Sequence, residues 1–416
     1  MLVEYLGNSS LVSFGALSII LTEGDSMNFA KVLLQWIALG TLALSWGWSA
    51  AFQIGPLGTR HEERLTNESN STLADIAGRL GVLVKAPVHE EITHLGKWCS
   101  VERANLASDT YCSGRDVGFA SPYVIYGVRW NDLPPFRLEE GQGNCDYLGR
   151  KNVCRNQTIR FSTQPACWYC LFKDAERKAQ STSIVGCNRT ANSIQGNLMT
   201  RSHFGDLQFL HGMANAADIH PVSTRVQILE WLEFAWKVSS KEIRPQTQLK
   251  TIDNPTIKQH FGCTEWTVAD LYLLGRQDAG SGLFTQIREI AFGSVLHTVQ
   301  DSFAAAHAER EPHQTAEQCE GTAFTTPARI VEFHAYGSQD GALHDHDDSR
   351  EAMAAVAQQR WPEAVEVTRN LFELHADGAK WADASTYLQC VFTLSDHRRA
   401  SSPGHAYRRI VSTHER

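Results

Sequence analysis

Apolar residues at three- and four-residue intervals dominate the second half of the chain. STRVQILEWLEFAWKVSS (223–240) sets Val226, Leu229, Leu232 and Trp236 at helical spacing, with Ser223 and Thr224 as capping residues. A second pattern runs from Leu283 to about Ala308 through Phe284, Ile287, Ile290, Ala291 and Val295. A third runs from Arg350 to Leu374, where Pro362 starts a new helix. Earlier, polar NESNST (67–72) reads as a loop and LADIAGRLGVL (73–83) as a short helix. Strand-like stretches are scarce, and YVIYGVRW (123–130) is the best candidate. Together these patterns predict a mostly α architecture. HEERLTN (61–67) and HEEITHL (89–95) are alike, but two short matches do not make a repeat.

The beginning of the chain follows another rule. MNFAKVLLQWIALGTLALSWGWSAAF, from Met27, has a lysine, an apolar run and then small residues at Ser49, Ala50 and Ala51, as an exported precursor does. Residues 27–51 therefore read as a signal peptide, with an uncleaved membrane anchor as the alternative because the run approaches the ~20 residues that span a bilayer. Residues 1–26 contain no Lys or Arg and read as an over-long start. Residues 52–416 then form a single α-helical domain, secreted or periplasmic. A 416-residue chain that is 43% hydrophobic supports a substantial core. The net charge of −8 supplies no general field for nucleic-acid phosphates, so no nucleic-acid partner is expected.

Ten cysteines suit an oxidising compartment. Cys145, Cys154, Cys167, Cys170 and Cys187 crowd one polar stretch, and residues 141–200 read as an irregular, disulfide-stapled insertion on the domain surface. Cys167-Trp-Tyr-Cys170 has the spacing of a redox or zinc motif, but no second such pair follows, and disulfides are the default reading. Sequons stand at Asn67, Asn70, Asn156 and Asn188.

The unusual chemistry lies in buried-looking histidines and carboxylates. In HTVQDSFAAAH (297–307), His297 and Asp301 are four apart and share a helical face. On a continuing helix His307 would lie roughly 280° around from His297, within about 80° of that face. Three such groups on one apolar helix would each need a separate partner, whereas imidazole and carboxylate are ligands that zinc accepts at about 2.0 to 2.2 Å. RSHFGDLQFLHGM (201–213) adds His203, Asp206 and His211, and GVRWND (127–132) ends on Asp132. HEEITHLG (89–96) adds His89, Glu90 and Glu91 at a helix start, and ALHDHDD (342–348) adds His344 and Asp348. Each of the last two stretches also has a plainer reading, as a helix-capping acid and a solvated charged loop respectively. Together the stretches hold more ligands than one zinc ion can use.

This ordered series resembles the zinc-dependent phospholipases C, whose superfamily includes secreted single-strand-specific zinc nucleases. The likeness rests on His297-x3-Asp301-x5-His307, Trp130-Asn131-Asp132, His203-Phe204-Gly205-Asp206 and His344-x3-Asp348, from about His89 to Asp348. GVRWNDLPPF, RSHFGDLQFLHGM and FGSVLHTVQDSFAAAH are similar to a bacterial branch of phospholipases C in particular. The resemblance implies three zinc ions per chain. Asp132, His203, His297 and Asp301 would hold one; His307, His344 and Asp348 a second; His89, with Asp301 bridging, a third. In the family the mature chain's first residue also binds the third ion. Here that residue would be Ala51 or Phe52, far from His89, so this ion is bound differently or His61 serves. Asp206 and His211 read as groups that orient ligands, with His211 the candidate for direct ligation.

The implied activity is phosphodiester hydrolysis, with zinc lowering the pKa of bound water and neutralising phosphoryl charge, and Asp132 as general base. Phospholipid at a membrane surface is the favoured substrate, cut to diacylglycerol and a phosphorylated head group. The alternatives are a nuclease on the same core and a non-enzymatic secreted protein, either braced by metals or binding lipid. A nuclease would need an aromatic shelf for bases, and Trp130, Trp231 and Trp236 lie instead in core-like patterns. No Gly-x-Ser-x-Gly elbow supports a serine esterase. No pattern in the sequence sets an oligomeric state.

Overall fold

The computed structural model describes residues 11–14, 17–20, 88–102, 120–137, 158–159, 168, 172, 197–274, 283–312, 317–347, 352 and 360–408. The leader at 27–51, the helix expected at 73–83, His61, Asp348, the four sequons and the five crowded cysteines lie outside the described residues. The chain divides into two compact units, residues 1–48 and 49–416. In the first, β1 (Leu11–Phe14) and β2 (Leu17–Ile20) pair antiparallel, Leu11 opposite Ile20. Among the described residues no helix is long and apolar enough to cross a membrane.

The second unit is mostly helical, with little sheet. Its helices are α1 (Val88–Glu102), α2 (Pro122–Trp130), α3 (Leu198–Phe204), α4 (Pro221–Ser239), α5 (Pro255–Phe261), α6 (Val268–Leu273), α7 (Ile287–Asp301), α8 (Gly341–Asp347), α9 (Arg360–Ala376) and α10 (Trp381–Val391). Short antiparallel pairs join β3 (Phe136–Arg137) to β4 (Thr158–Ile159) and β5 (Ala308–Arg310) to β6 (Ile330–Phe333).

The stretch with the strongest strand pattern is a helix. Ser121 accepts a hydrogen bond from Val124 N at 3.2 Å, and Pro122 opens α2 without losing a needed donor. Val124, Ile125, Val128 and Trp130 are buried and the half-buried face is Tyr123, Tyr126 and Arg129, so one charge is all the polar pattern α2 offers, and a short apolar run fits either element. In α4 the start is also shifted from the expected caps. His220 accepts from Val222 N at 3.3 Å and Pro221 takes the first turn, while Val226 is 42% exposed rather than in the core. Trp130, Trp231 and Trp236 are buried, as their patterns suggested.

α7 is the axis of the unit and is buried on nearly every side. It crosses α2 at backbone contact: a methyl added to Gly127 would lie 2.0 Å from Ile290 O, and one on Gly293 would lie 2.1 Å from Val124 O. Only glycine at both positions permits this approach. The next turn of α7 then presents His297 directly to the end of α2.

The expected helix through His307 stops at Asp301. Phe303 N and Ala304 N donate to Gln300 O and Asp301 O, which tightens the chain into turns. The buried Arg310 guanidinium donates through Nε to Ser302 O (2.7 Å), through Nη2 to Ser302 Oγ (2.8 Å) and through Nη1 to Ala328 O (2.6 Å). These bonds pin the end of α7 to the strand pair, so His307 leaves on a turn. Further on, a disulfide joins Cys319 to Cys390, closing a separation of 71 residues. Cys99 and Cys263 are disulfide-bonded as well.

Candidate metal centre

Asp301, fully buried at the end of α7, is the hub of the site. Its Oδ2 lies 2.9 Å from His297 Nε2, 2.9 Å from His211 Nδ1 and 3.7 Å from His307 Nδ1; its Oδ1 lies 3.2 Å from His89 Nε2. Asp132, just past α2, puts Oδ1 3.5 Å from His211 Nδ1 and 3.7 Å from His297 Nε2. Three overlapping donor groups result: His89 with Asp132 and His297, Asp132 with His203 and His211, and His211 with His297 and Asp301. His307 and His344 face each other with ring centroids 4.9 Å apart, and line a small cavity shared with His203 and His211.

Each segment's local structure explains its delivery. α2 ends on Asn131, whose buried side-chain amide donates to Leu210 O (2.7 Å) and Thr298 Oγ1 (3.1 Å) and accepts from Ser294 Oγ (2.6 Å). This one residue ties Asp132, α7 and the turn carrying His211 together. That turn, Gln208–His211, is closed by Gly212 in the left-handed region (φ 62°), where a side chain would be strained. α3 delivers His203 from its last turn. Its base is held by Arg201, which grips Asp206 bidentately at 2.8 and 2.6 Å while His260 Nδ1 lies 2.6 Å from the same carboxylate. Asp206 thus braces α3 through Arg201 and His260 instead of orienting a ligand ring.

The hydrogen-bond partners of the rings decide their chemistry. His297 Nδ1 donates to Val128 O (2.6 Å), His203 Nδ1 to Met199 O (2.9 Å) and His307 Nδ1 to His211 O (2.7 Å). His89 Nδ1 faces Gln300 Oε1 (2.7 Å) and His344 Nδ1 faces Gln339 Oε1 (2.6 Å). A carbonyl oxygen only accepts, so these contacts place the proton on Nδ1 and leave the Nε2 lone pair for a metal. His203 Nε2 and His211 Nε2 are buried with no hydrogen-bond partner among the described residues. A buried polar atom of that kind is costly unless something else occupies it.

Electrostatics agree with neutral ligands. Burial, then the neighbouring His211, pushes His203 down to about 3; burial also lowers His211 and His297 to about 4, against the pull of Asp301. Burial pushes Asp301 upward, but His297, His307, His89 and the bond from His211 outweigh it and hold the carboxyl well below its usual range. At neutral pH His203, His211 and His297 are uncharged donors beside an ionised Asp301, as divalent-metal sites require.

The structure thus brings together His89, Asp132, His203, His211, His297, Asp301, His307 and His344, with His211 central. Asp348 and His61 lie outside the described residues. Asn131, Gln300 and Gln339 carry no sequence signal of their own, although Asn131 lies inside a motif that does. The insertion is not wholly on the surface: Trp168 and Phe172 are buried, and Phe172 meets His203 edge-on at 5.1 Å. A separate group, Glu309, Glu332 and His334, already has a counterion, since Arg399 lies 2.9 Å from Glu309 Oε2 and 2.5 Å from Glu332 Oε2.

No family model matches the chain, and no curated protein or solved structure matches it either.

Proposed function

We propose that this chain is a metal-dependent phosphodiesterase, a secreted zinc phospholipase C that cleaves glycerophospholipids to diacylglycerol and a phosphorylated head group. The observation that carries the reading is the convergence of six buried imidazoles and two buried carboxylates from distant segments, with five rings turning Nδ1 to an oxygen acceptor. That donor set fits several divalent ions better than a hydrogen-bonded core, because it leaves buried nitrogens such as His203 Nε2 unsatisfied. The order of the motifs along the chain supports zinc, three ions and a phospholipase C-like fold.

Bound ions would supply Lewis acidity toward phosphoryl oxygens and the leaving alkoxide and would make water nucleophilic at neutral pH. The protein's part is to hold and orient. Asp301 would bridge, since its two oxygens face different rings, Oδ1 toward His89 and Oδ2 toward His297 and His211. Asp132 is the general base of this reading, its carboxylate lying beside His211 and His297. The described lining of the cavity, from Ser202 and His203 to Tyr336 and His344, includes no Lys or Arg. The charge of an anionic diester would therefore fall to the ions.

The deciding experiment is metal analysis of purified protein combined with head-group release from phosphatidylcholine, with and without chelator. Bound zinc and chelator-sensitive release are expected. Asp301→Asn should lower metal content and cut turnover by more than about 100-fold, beyond what loss of an outer group costs. Release unaffected by chelator rejects the reading. Cleavage of single-stranded nucleic acid but not phospholipid would reassign the substrate.

A further inference from the structure

α8 is too short to set its own geometry. It spans seven residues, well under the ~12 to 15 that an isolated helix needs in water. Leu343 is 47% exposed and His346 is exposed too, so apolar packing on this helix is slight. Yet His344, in its middle, is buried against the rings of His307 and Tyr336. Something other than packing holds that ring in the centre.

Both ends of α8 are tied to one residue far along the chain. At the start, Asp340 N donates to Tyr407 O at 2.6 Å, while the Asp340 side chain accepts from Leu343 N at 3.3 Å. At the end, the Tyr407 hydroxyl donates to Asp347 Oδ2 at 2.5 Å, the short length of a hydroxyl bound to a carboxylate. Tyr407 is itself buried, in the single turn His405–Tyr407 that lies against α8. The residues before that turn are anchored to β6 and to the chain that follows it. Arg399 Nε reaches Glu332 Oε2 at 2.5 Å, the Ser402 hydroxyl donates to Glu332, Ala335 N donates to Ser402 O at 2.8 Å and Gln339 Nε2 donates to Pro403 O at 2.8 Å. A firmly held segment therefore presents Tyr407 to a helix that lacks firm support of its own.

We propose that Tyr407 is a positioning residue of the metal centre: by holding both ends of α8 it sets the approach of His344, and so the affinity of the ion at that end. The proposal rests on the metal-binding part of the function given above. Tyr407 acts through Asp340 and Asp347, and its two ties can be separated. Phenylalanine at 407 keeps the ring packing and the backbone bond to Asp340, so Tyr407→Phe removes the tie to Asp347 alone. The stretch that resembles the phospholipases C ends at Asp348, and none of its motifs points to a tyrosine so far beyond it.

The test titrates zinc into the chelated full-length chain and into Tyr407→Phe, counts the bound ions, and follows the His344 and His297 rings by NMR to assign an ion to each end. In Tyr407→Phe the ion sensed by His344 should need about tenfold more free zinc, and the ion sensed by His297 should bind as before. Amide hydrogen exchange in the chelated variant should rise about tenfold in α8 and stay unchanged in α7, as expected for one lost bond to a charged group. Asp347→Ala should reproduce both effects, and adding Tyr407→Phe to it should change nothing more, because each substitution removes the same bond. Head-group release by Tyr407→Phe should return to the wild-type rate when zinc is raised by the same factor. The proposal is overturned if Tyr407→Phe binds every ion as the wild type does, if exchange in α7 rises along with α8, or if the two substitutions add. A chain that binds no zinc defeats this inference and the phosphodiesterase reading together. Zinc bound with the expected dependence on Tyr407, but without head-group release, defeats the phosphodiesterase reading and supports this one.

Discussion

At one end of the centre, His297 and Asp301 sit on α7 and Asp132 just past α2, two helices that touch backbone to backbone at Gly127 and Gly293. At the other, His307 and His344 sit on a turn and a short helix, placed by hydrogen bonds from His307 to His211 O and from His344 to Gln339. The first end owes its geometry to close packing of regular elements and the second to particular polar contacts and a covalent closure. Packed helices respond to volume, while pinned turns respond to the loss of single bonds. Perturbations should therefore separate the two ends.

Gly293→Ala should have the largest effect. A methyl 2.1 Å from Val124 O and 2.6 Å from Val128 N forces α2 and α7 apart, at a cost above about 4 kcal/mol. Denaturant unfolding should show that loss, and zinc binding at Asp132 and His297 should disappear with it. A folded variant with normal metal content would refute the helical end as described.

Replacing Cys319 and Cys390 by alanine opens the loop that encloses β6 and α8. Chain-entropy reasoning assigns the closure about 4 kcal/mol. Hydrogen exchange in this variant should rise first around His344 and later, or not at all, in α7. Uniform loosening would mean that the two ends are one cooperative unit.

Acid should act chiefly at the ring cluster joined to α7. His203, His211 and His297 titrate in the folded chain at about 3 to 4, below their ordinary value of 6.5, chiefly because they are buried. The unfolded chain therefore takes up protons first as pH falls, so this stability is complete above about pH 6.5 and is lost progressively toward pH 4. Each group accounts for on the order of 3 kcal/mol. His375, pushed down to about 4 by burial and by Lys97, should add to the loss. Urea unfolding of chelator-treated protein between pH 7.5 and 4.5 measures the slope, and a flat profile would contradict neutral buried rings.

Asn131→Ala should cost about 2 kcal/mol by taking away the acceptor of the Ser294 hydroxyl and leaving Leu210 O with the Thr298 hydroxyl as its side-chain donor. Because Asn131 joins α2, α7 and the His211 turn, metal affinity should fall along with melting temperature. A variant that loses stability but keeps its affinity would limit Asn131 to the core.

Helical periodicity made α4 and α7 legible, and the i, i+4 spacing of His297 and Asp301 placed both on one face before any coordinates. α2 was not legible, because its half-buried face carries Tyr123 and Tyr126 with Arg129 as the lone charge, which leaves almost no polar stripe to distinguish a helix from a strand. His307 was misplaced on α7, since Arg310, eight residues beyond Ser302, is what ends the helix there. The importance of His211 was likewise hidden. Nothing local shows that a left-handed Gly212 and Asn131 turn its ring onto Asp301.

The sequence by itself determined the mostly helical character, the tryptophan-rich core and the supply of metal-capable side chains, because these follow from period and composition along a single segment. The tertiary structure decided which nitrogen of each imidazole faces inward and which residues hold it there. Those choices depend on acceptors far along the chain: Val128 O for His297, Gln300 for His89 and Gln339, with its grip on Pro403, for His344. A proton's place on a ring is set by what lies across the fold from it, and spacing along the chain carries no record of that.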